Sequence, residues 1–155
     1  MKNYPLLCGF REMVAGDGFL ASVAIDGRAL GVQEDDGTWW IYGVNPGAIA
    51  ETGATLAEAH AALLRAFKAY TLDVASESKD FAAFDREVRR FFEQGDQETR
   101  AEWEAAVVEV RAGRLDLDPL PKVDSRQSVF AVRVHQIATP TPAENQLAEG
   151  LKFAA

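Results

Sequence analysis

The stretch that decides the fold is Thr38-Trp39-Trp40-Ile41-Tyr42-Gly43-Val44, followed by Asn45-Pro46-Gly47 and then by Gly53-Ala54-Thr55-Leu56-Ala57-Glu58. Two Trp, an Ile, a Tyr and a Val within seven residues predict a strand, because aromatic and β-branched side chains suit a pleated, half-buried surface. Asn45-Pro46-Gly47 breaks that strand, since Pro lacks the N–H a ladder needs and Gly accepts turn conformations. The loop is read as running to Gly53. Thr55 to Glu58 is a capping box: the Thr55 hydroxyl accepts from the N–H of Glu58, and Glu58 reaches back to the N–H of Thr55. Such a cap is worth about 1 kcal/mol. Leu56, Ala59, Leu63, Ala66, Phe67 and Tyr70 then recur at helical spacing, which predicts one apolar-faced helix to about Val74.

Upstream, Phe19–Ile25 alternates in the manner of a strand, and Arg28–Gln33 reads as its return. Asp26-Gly27 between them is a dipeptide favoured in two-residue hairpin turns. Glu34-Asp35-Asp36-Gly37 is a second acidic turn, so an antiparallel meander of three strands is expected. Leu6–Val14 is either an added edge strand or a tail. Downstream, Asp80 to Glu93 carries Phe81, Phe84, Val88, Phe91 and Phe92 on one side and stops at Gly95. Gln97 to Ala112 carries Trp103, Ala106, Val107 and Val110 and stops at Gly113. Leu115–Ser125 is a proline-containing connector. Val129–Ile137 alternates and is predicted to return to the same sheet, since its backbone groups must be paired. Pro142–Leu151 is either one weak helix or disordered. The expected fold is α+β: an antiparallel three- to four-stranded sheet with one long packed helix, two added helices and a late strand. Residues 1–137 form one domain with a helical extension at 80–113, and residues 138–155 form a tail.

Composition narrows the function. The chain of 155 residues has 24 acidic and 16 basic side chains, a net charge of −8. Such a chain is poorly suited to nonspecific binding of nucleic acid or anionic membranes. No apolar run approaches the roughly 20 residues a membrane helix needs. The apolar stretch in Met1–Gly9 is too short for a secretion signal, so a cytoplasmic location is expected. Cys8 is the one cysteine, which excludes an internal disulfide, and with only two histidines a Cys-rich zinc site is excluded too.

The region from Asp17 to Val74 resembles the HicB-like antitoxin family. The residues that carry the resemblance are Asp36-Gly37-Thr38-Trp39-Trp40, Pro46-Gly47, Gly53-Ala54-Thr55 and Glu58-Ala59. The resemblance implies a small antiparallel sheet with one long helix, a partial ribonuclease-H-like arrangement without its active site. Three features depart from the family pattern, one being a loop from Gly47 to Gly53 about one residue longer than the family's. Gly43-Val44-Asn45 stands where the family usually has Pro-Asp, and nothing from Phe81 to Ala155 has the form of its DNA-binding region.

Several residues carry groups capable of chemistry. Asp26, Glu34, Asp35 and Asp36 are read as solvated turn carboxylates rather than a cation site, because neighbouring turn carboxylates diverge. His60 is read as a helix-surface residue and His135 as a half-exposed strand residue. Cys8 has no partner motif. Arg86, Arg89 and Arg90 are interleaved with Asp85 and Glu87, with Glu93 one turn past Arg89, and read as a solvated charged face. On the aromatic strand, Trp39 and Ile41 share one face while Trp40, Tyr42 and Val44 share the other. The first face is expected on the long helix through Leu63 and Phe67. The second needs another cover, either an added helix or a partner, which makes Trp40, Tyr42 and Val44 the candidate partner or dimer contact.

No catalytic, cofactor or metal residues are nominated. The resemblance implies a non-catalytic interaction module that binds and neutralises a small basic ribonuclease toxin, and a homodimer is expected, with no direct DNA binding. The alternative is a ligand-binding or enzymatic domain that uses a pocket between the sheet and the added helices.

Overall fold

A computed structural model describes residues 1–137 and Ala154. The sequence folds as an α+β structure in which β1 (Lys2–Gly16), β2 (Phe19–Gln33), β3 (Trp39–Asn45), β4 (Ala50–Gly53) and β5 (Ala131–Ile137) form one antiparallel sheet. Three helices, α1 (Leu56–Glu77), α2 (Phe81–Glu93) and α3 (Gln97–Arg111), lie between β4 and β5. The helical reading of Pro142–Leu151 lies outside the described residues.

The N-terminal half corrects the sequence reading. Asp26-Gly27 is not a turn. Phe19–Gln33 is one continuous strand, paired along its whole length with β1, from Lys2 opposite Gln33 to Gly16 opposite Phe19. The hairpin turn is the other Asp-Gly of this region, Asp17-Gly18, where Gly18 takes φ 73°. Leu6–Val14 is therefore the middle of a full strand.

Gly27 has a different task. The opposite edge of β2 is divided: Leu20–Asp26 pair with β5 and Arg28–Gln33 pair with β3. The register shifts between Arg28 and Ala29. At this division the end of β3 lies so close that a Cβ on Gly27 would stand 2.1 Å from the carbonyl oxygen of Asn45. A glycine inside a strand commonly marks such an approach. The predicted return of the late strand to the sheet that holds Thr38–Val44 is borne out, with β2 as its direct partner.

Residues 50–53, read as loop, form the short strand β4 on the outer edge of β3. The acidic turn between β2 and β3 is as expected: the Gly37 N–H donates to Glu34 O at 2.9 Å, and Asp36 Oδ1 accepts from the Thr38 N–H at 2.9 Å.

The long helix starts where its predicted cap places it, and the other two start at acidic caps of their own. Thr55 Oγ1 accepts from the N–H of Glu58 at 3.1 Å. The return bond differs by one residue, since Glu58 Oε2 accepts from Ala54 N rather than Thr55 N, at 2.9 Å. Asp80 caps α2 by accepting from Ala83 N at 2.8 Å, and Asp96 caps α3 by accepting from Thr99 N at 2.9 Å.

Two apolar clusters follow from the alternation of β2. Phe19, Ala21, Val23 and Ile25 face inward with Phe10 and Val14 of β1, and α1 and α2 cover them through Leu63, Phe67, Phe84 and Val88. The one buried hydroxyl of α1, on Thr71, donates within the helix to Phe67 O at 3.0 Å. On the opposite face, over the far half of β2, Leu30, Val32 and Val44 pack against Trp103 of α3. The Pro46-Gly47 loop joins this layer to the helices, with Gly47 N donating to Gln94 O at 2.8 Å.

Candidate functional site

The aromatic strand divides its faces as the alternation requires. Trp39 and Ile41 are buried with α1, and Trp39 packs 5.3 Å from the ring of Tyr4. Val44 is 1% exposed, shut beneath Trp103 of the same chain, so α3 is the cover for this end of the outer face. Trp40 and Tyr42 are only half-buried and stack on one another, with ring centroids 5.8 Å apart at 13°. Their cross-strand neighbours Thr52 and Ala50 on β4 are exposed. Beside Trp40 the hairpin ends in Glu34, Asp35 and Asp36, of which Asp35 is paired with the N-terminal ammonium. Hydrogen bonds from Thr38 hold the Asp36 carboxyl below its usual range. The result is an aromatic pair at the tip of a hairpin with an acidic border.

Asp26 is separated from that turn. It sits in mid-strand between two guanidiniums, Arg11 of β1 and Arg133 of β5, each 2.8 Å from one carboxylate oxygen. The hydrogen bond from Arg11 is the main reason its pKa is lowered, with Arg133 adding to it. Neighbouring Cys8 is half-buried opposite Gly27, and burial, followed by the charge of Asp26, pushes its thiol up to about 11. That thiol is poorly suited to act as a nucleophile, which requires the thiolate.

His60 and His135 are exposed. Among the described residues no group of His, Cys, Asp and Glu side chains is arranged to hold a metal ion. Arg89 pairs back to Asp85 at 2.8 Å rather than forward to Glu93, and Arg90 pairs with Glu87. Both lie on a solvated helix face, as the interleaved charges suggested. No helix among the described residues is long and apolar enough to cross a membrane.

Sequence reasoning missed two features. Arg28 enters the second cluster with its guanidinium 5.0 Å from the ring of Trp103 and 4.7 Å from that of Phe130. Its Nε donates to the buried Asn45 Oδ1 at 3.0 Å. Burial lowers its pKa, and the rings compensate by cation–π attraction. A lone Arg in a strand carries no signal for this, because Trp103 and Phe130 are remote in sequence.

The second feature is a cleft of about 690 Å³ between the start of β1, α3 and the connector at residues 113–126. Its walls include Leu7, Val107, Val110, Leu117, Leu120 and Val123, and Arg111, Asp124 and Arg126 also line it. The connector runs beside β1 without joining the sheet. Pro5 on β1 and Pro119 and Pro121 in the connector lack the N–H groups that a ladder would use.

Comparison with family models, curated proteins and solved structures finds no match for this chain.

Proposed function

We propose that this chain is a non-catalytic protein-interaction module of the HicB-like antitoxin kind, which binds and neutralises a small basic ribonuclease. The observation that carries the reading is the half-buried Trp40–Tyr42 stack beside the Glu34–Asp36 turn. Aromatic anchors supply much of the energy of protein interfaces, and an acidic border steers a basic partner toward them. The quoted motifs support the family: the aromatic strand enters the Pro46-Gly47 loop, and Gly53-Ala54-Thr55 opens the long helix. The acidic charge argues against DNA as a partner.

The reading expects a short basic open reading frame beside the gene, and the test is co-expression with its product. Growth arrest by that product, relieved by the wild-type chain but not by a Trp40→Ala/Tyr42→Ala variant of unchanged melting temperature, supports the reading. A neighbouring product that is not toxic, or relief that the variant retains in full, overturns it.

Self-association belongs to the same reading. Among the described residues β1 is paired on one edge only, over its full 15 residues, and strand edges are commonly closed by a second copy. A homodimer is expected by light scattering at micromolar concentration, and a mass of 16.9 kDa refutes it.

The cleft favours a second reading, a ligand-binding domain, because it lies between the edge of the sheet, one of the added helices and the connector, and falls in the range of about 300–1,000 Å³ usual for small-molecule sites.

A further inference from the structure

We infer that the cleft between β1, α3 and the 113–126 connector binds a single-chain amphiphile with a carboxylate head, an inference that rests on the ligand-binding reading. Three features combine.

The first is an apolar interior with an open side. Leu120 and Val123 on the connector are 45% and 62% exposed although both face this space, and Leu7 across from them is 41% exposed. Leaving three large aliphatic side chains around one cleft in contact with water is unfavourable in proportion to the apolar area that a ligand would cover. Trp103 adds an apolar surface, because its Nε1–H is already donated to Leu6 O at 3.2 Å.

The second feature is charge. The ionic side chains lining the cleft are Arg111, Lys122 and Arg126 against Asp116 and Asp124, a local charge of +1 in a chain whose net charge is −8. Lys122 is paired with Asp116 at 3.5 Å. Arg126 holds Asp124 through both carboxylate oxygens at 3.0 Å each, while Arg111 stands 3.9 Å from the same carboxylate and donates to Ser125 Oγ at 3.1 Å. Two guanidiniums therefore share one carboxylate, and Arg111 makes the looser contact. A guanidinium fork is well matched to a second carboxylate.

The third feature is shape. The walls come from a strand, a helix face and a proline-containing connector that does not pair with β1, and most of the residues from Leu115 to Arg126 line the space together with Arg111. An unbranched chain fills such a space with its head toward Arg111.

The test uses decanoate, 1-decanol and decyltrimethylammonium below their micellar concentrations, titrated into the full-length protein and followed by Trp fluorescence and calorimetry. Saturable one-to-one binding of decanoate is expected, at least tenfold tighter than decyltrimethylammonium. Arg111→Gln/Arg126→Gln should weaken decanoate by about tenfold, the scale of one charge-assisted contact, and leave 1-decanol unchanged. Leu120→Asn, a neutral polar change at a position 45% exposed, should weaken all three probes. No saturable binding of any probe overturns both the inference and the ligand-binding reading. Equal affinity for the three probes, or decanoate affinity unchanged in the double Arg variant, overturns the carboxylate assignment alone.

Discussion

Replacing Gly27 by Ala tests the architecture most directly. A Cβ there would lie 2.1 Å from the Asn45 carbonyl oxygen and 3.3 Å from its carbon, both of them backbone atoms at the end of β3. To restore van der Waals contact the chain must move by roughly an ångström, and forcing an extra group into a packed site costs about 1–3 kcal/mol. The shift also strains the bond from Arg28 Nε to Asn45 Oδ1, now 3.0 Å, worth about 1.5 kcal/mol for a charged donor. Ala returns about 0.4–1 kcal/mol by restricting the unfolded chain. A net loss of roughly 2–3 kcal/mol is expected, which for a chain of this size lowers the melting temperature by about 5–10 °C. Gly18→Asn is the control. Gly18 has φ 73° with nothing within 4 Å of a built Cβ, and Asn tolerates that conformation, so a change within about 1 kcal/mol is expected. Urea denaturation and thermal melting of both variants read the difference. Were Asp26-Gly27 a turn, Gly27→Asn would be tolerated and Gly18→Asn would gain no advantage over it. A Gly27→Ala protein that melts within about 2 °C of wild type refutes the close approach.

Truncation after Ser125 removes β5 and exposes the β2 edge from Leu20 to Asp26, so the product should be insoluble or unfolded while a chain ending at Ile137 folds; equal melting temperatures for the two refute the pairing. Asp26→Asn should cost up to about 1 kcal/mol at pH 7, because both of its ion pairs are partly exposed to solvent. The folded pKa of Asp26 is depressed, so its contribution is complete above the unfolded value near 3.9 and is lost as pH falls through the folded one; the variant's stability should converge on wild type in acid, and a penalty that persists there refutes the assignment. Cys8, with its pKa pushed up to about 11, should react with a disulfide reagent at pH 8 on the order of a hundredfold more slowly than a free thiol of pKa about 8.5, and a rate equal to that of free cysteine contradicts its burial.

The parts of this fold that were legible in the sequence are those decided within a few residues. Thr55, Asp80 and Asp96 each satisfy an orphan N–H three residues ahead, so helix starts follow from local spacing alone. The two faces of Trp39–Val44 follow from the period of a strand, and the Phe stripe of α2 follows from the period of a helix. Two of the three Asp-Gly dipeptides, at residues 17–18 and 26–27, show where this ends. At Asp17-Gly18 the chain turns, while at Asp26-Gly27 it runs straight, because 15 residues of β1 pair across that position and only Gly admits the end of β3 beside it. The choice between them belongs to pairings that span many residues and carries no local mark. The same holds for the candidate sites. Trp40, Tyr42 and Val44 were correctly placed on one face, but α3, nearly sixty residues later, decides that Val44 is shut in and the other two are half-open. The cleft has no sequence signature, since its walls come from β1, α3 and the connector, three segments remote from one another in the chain.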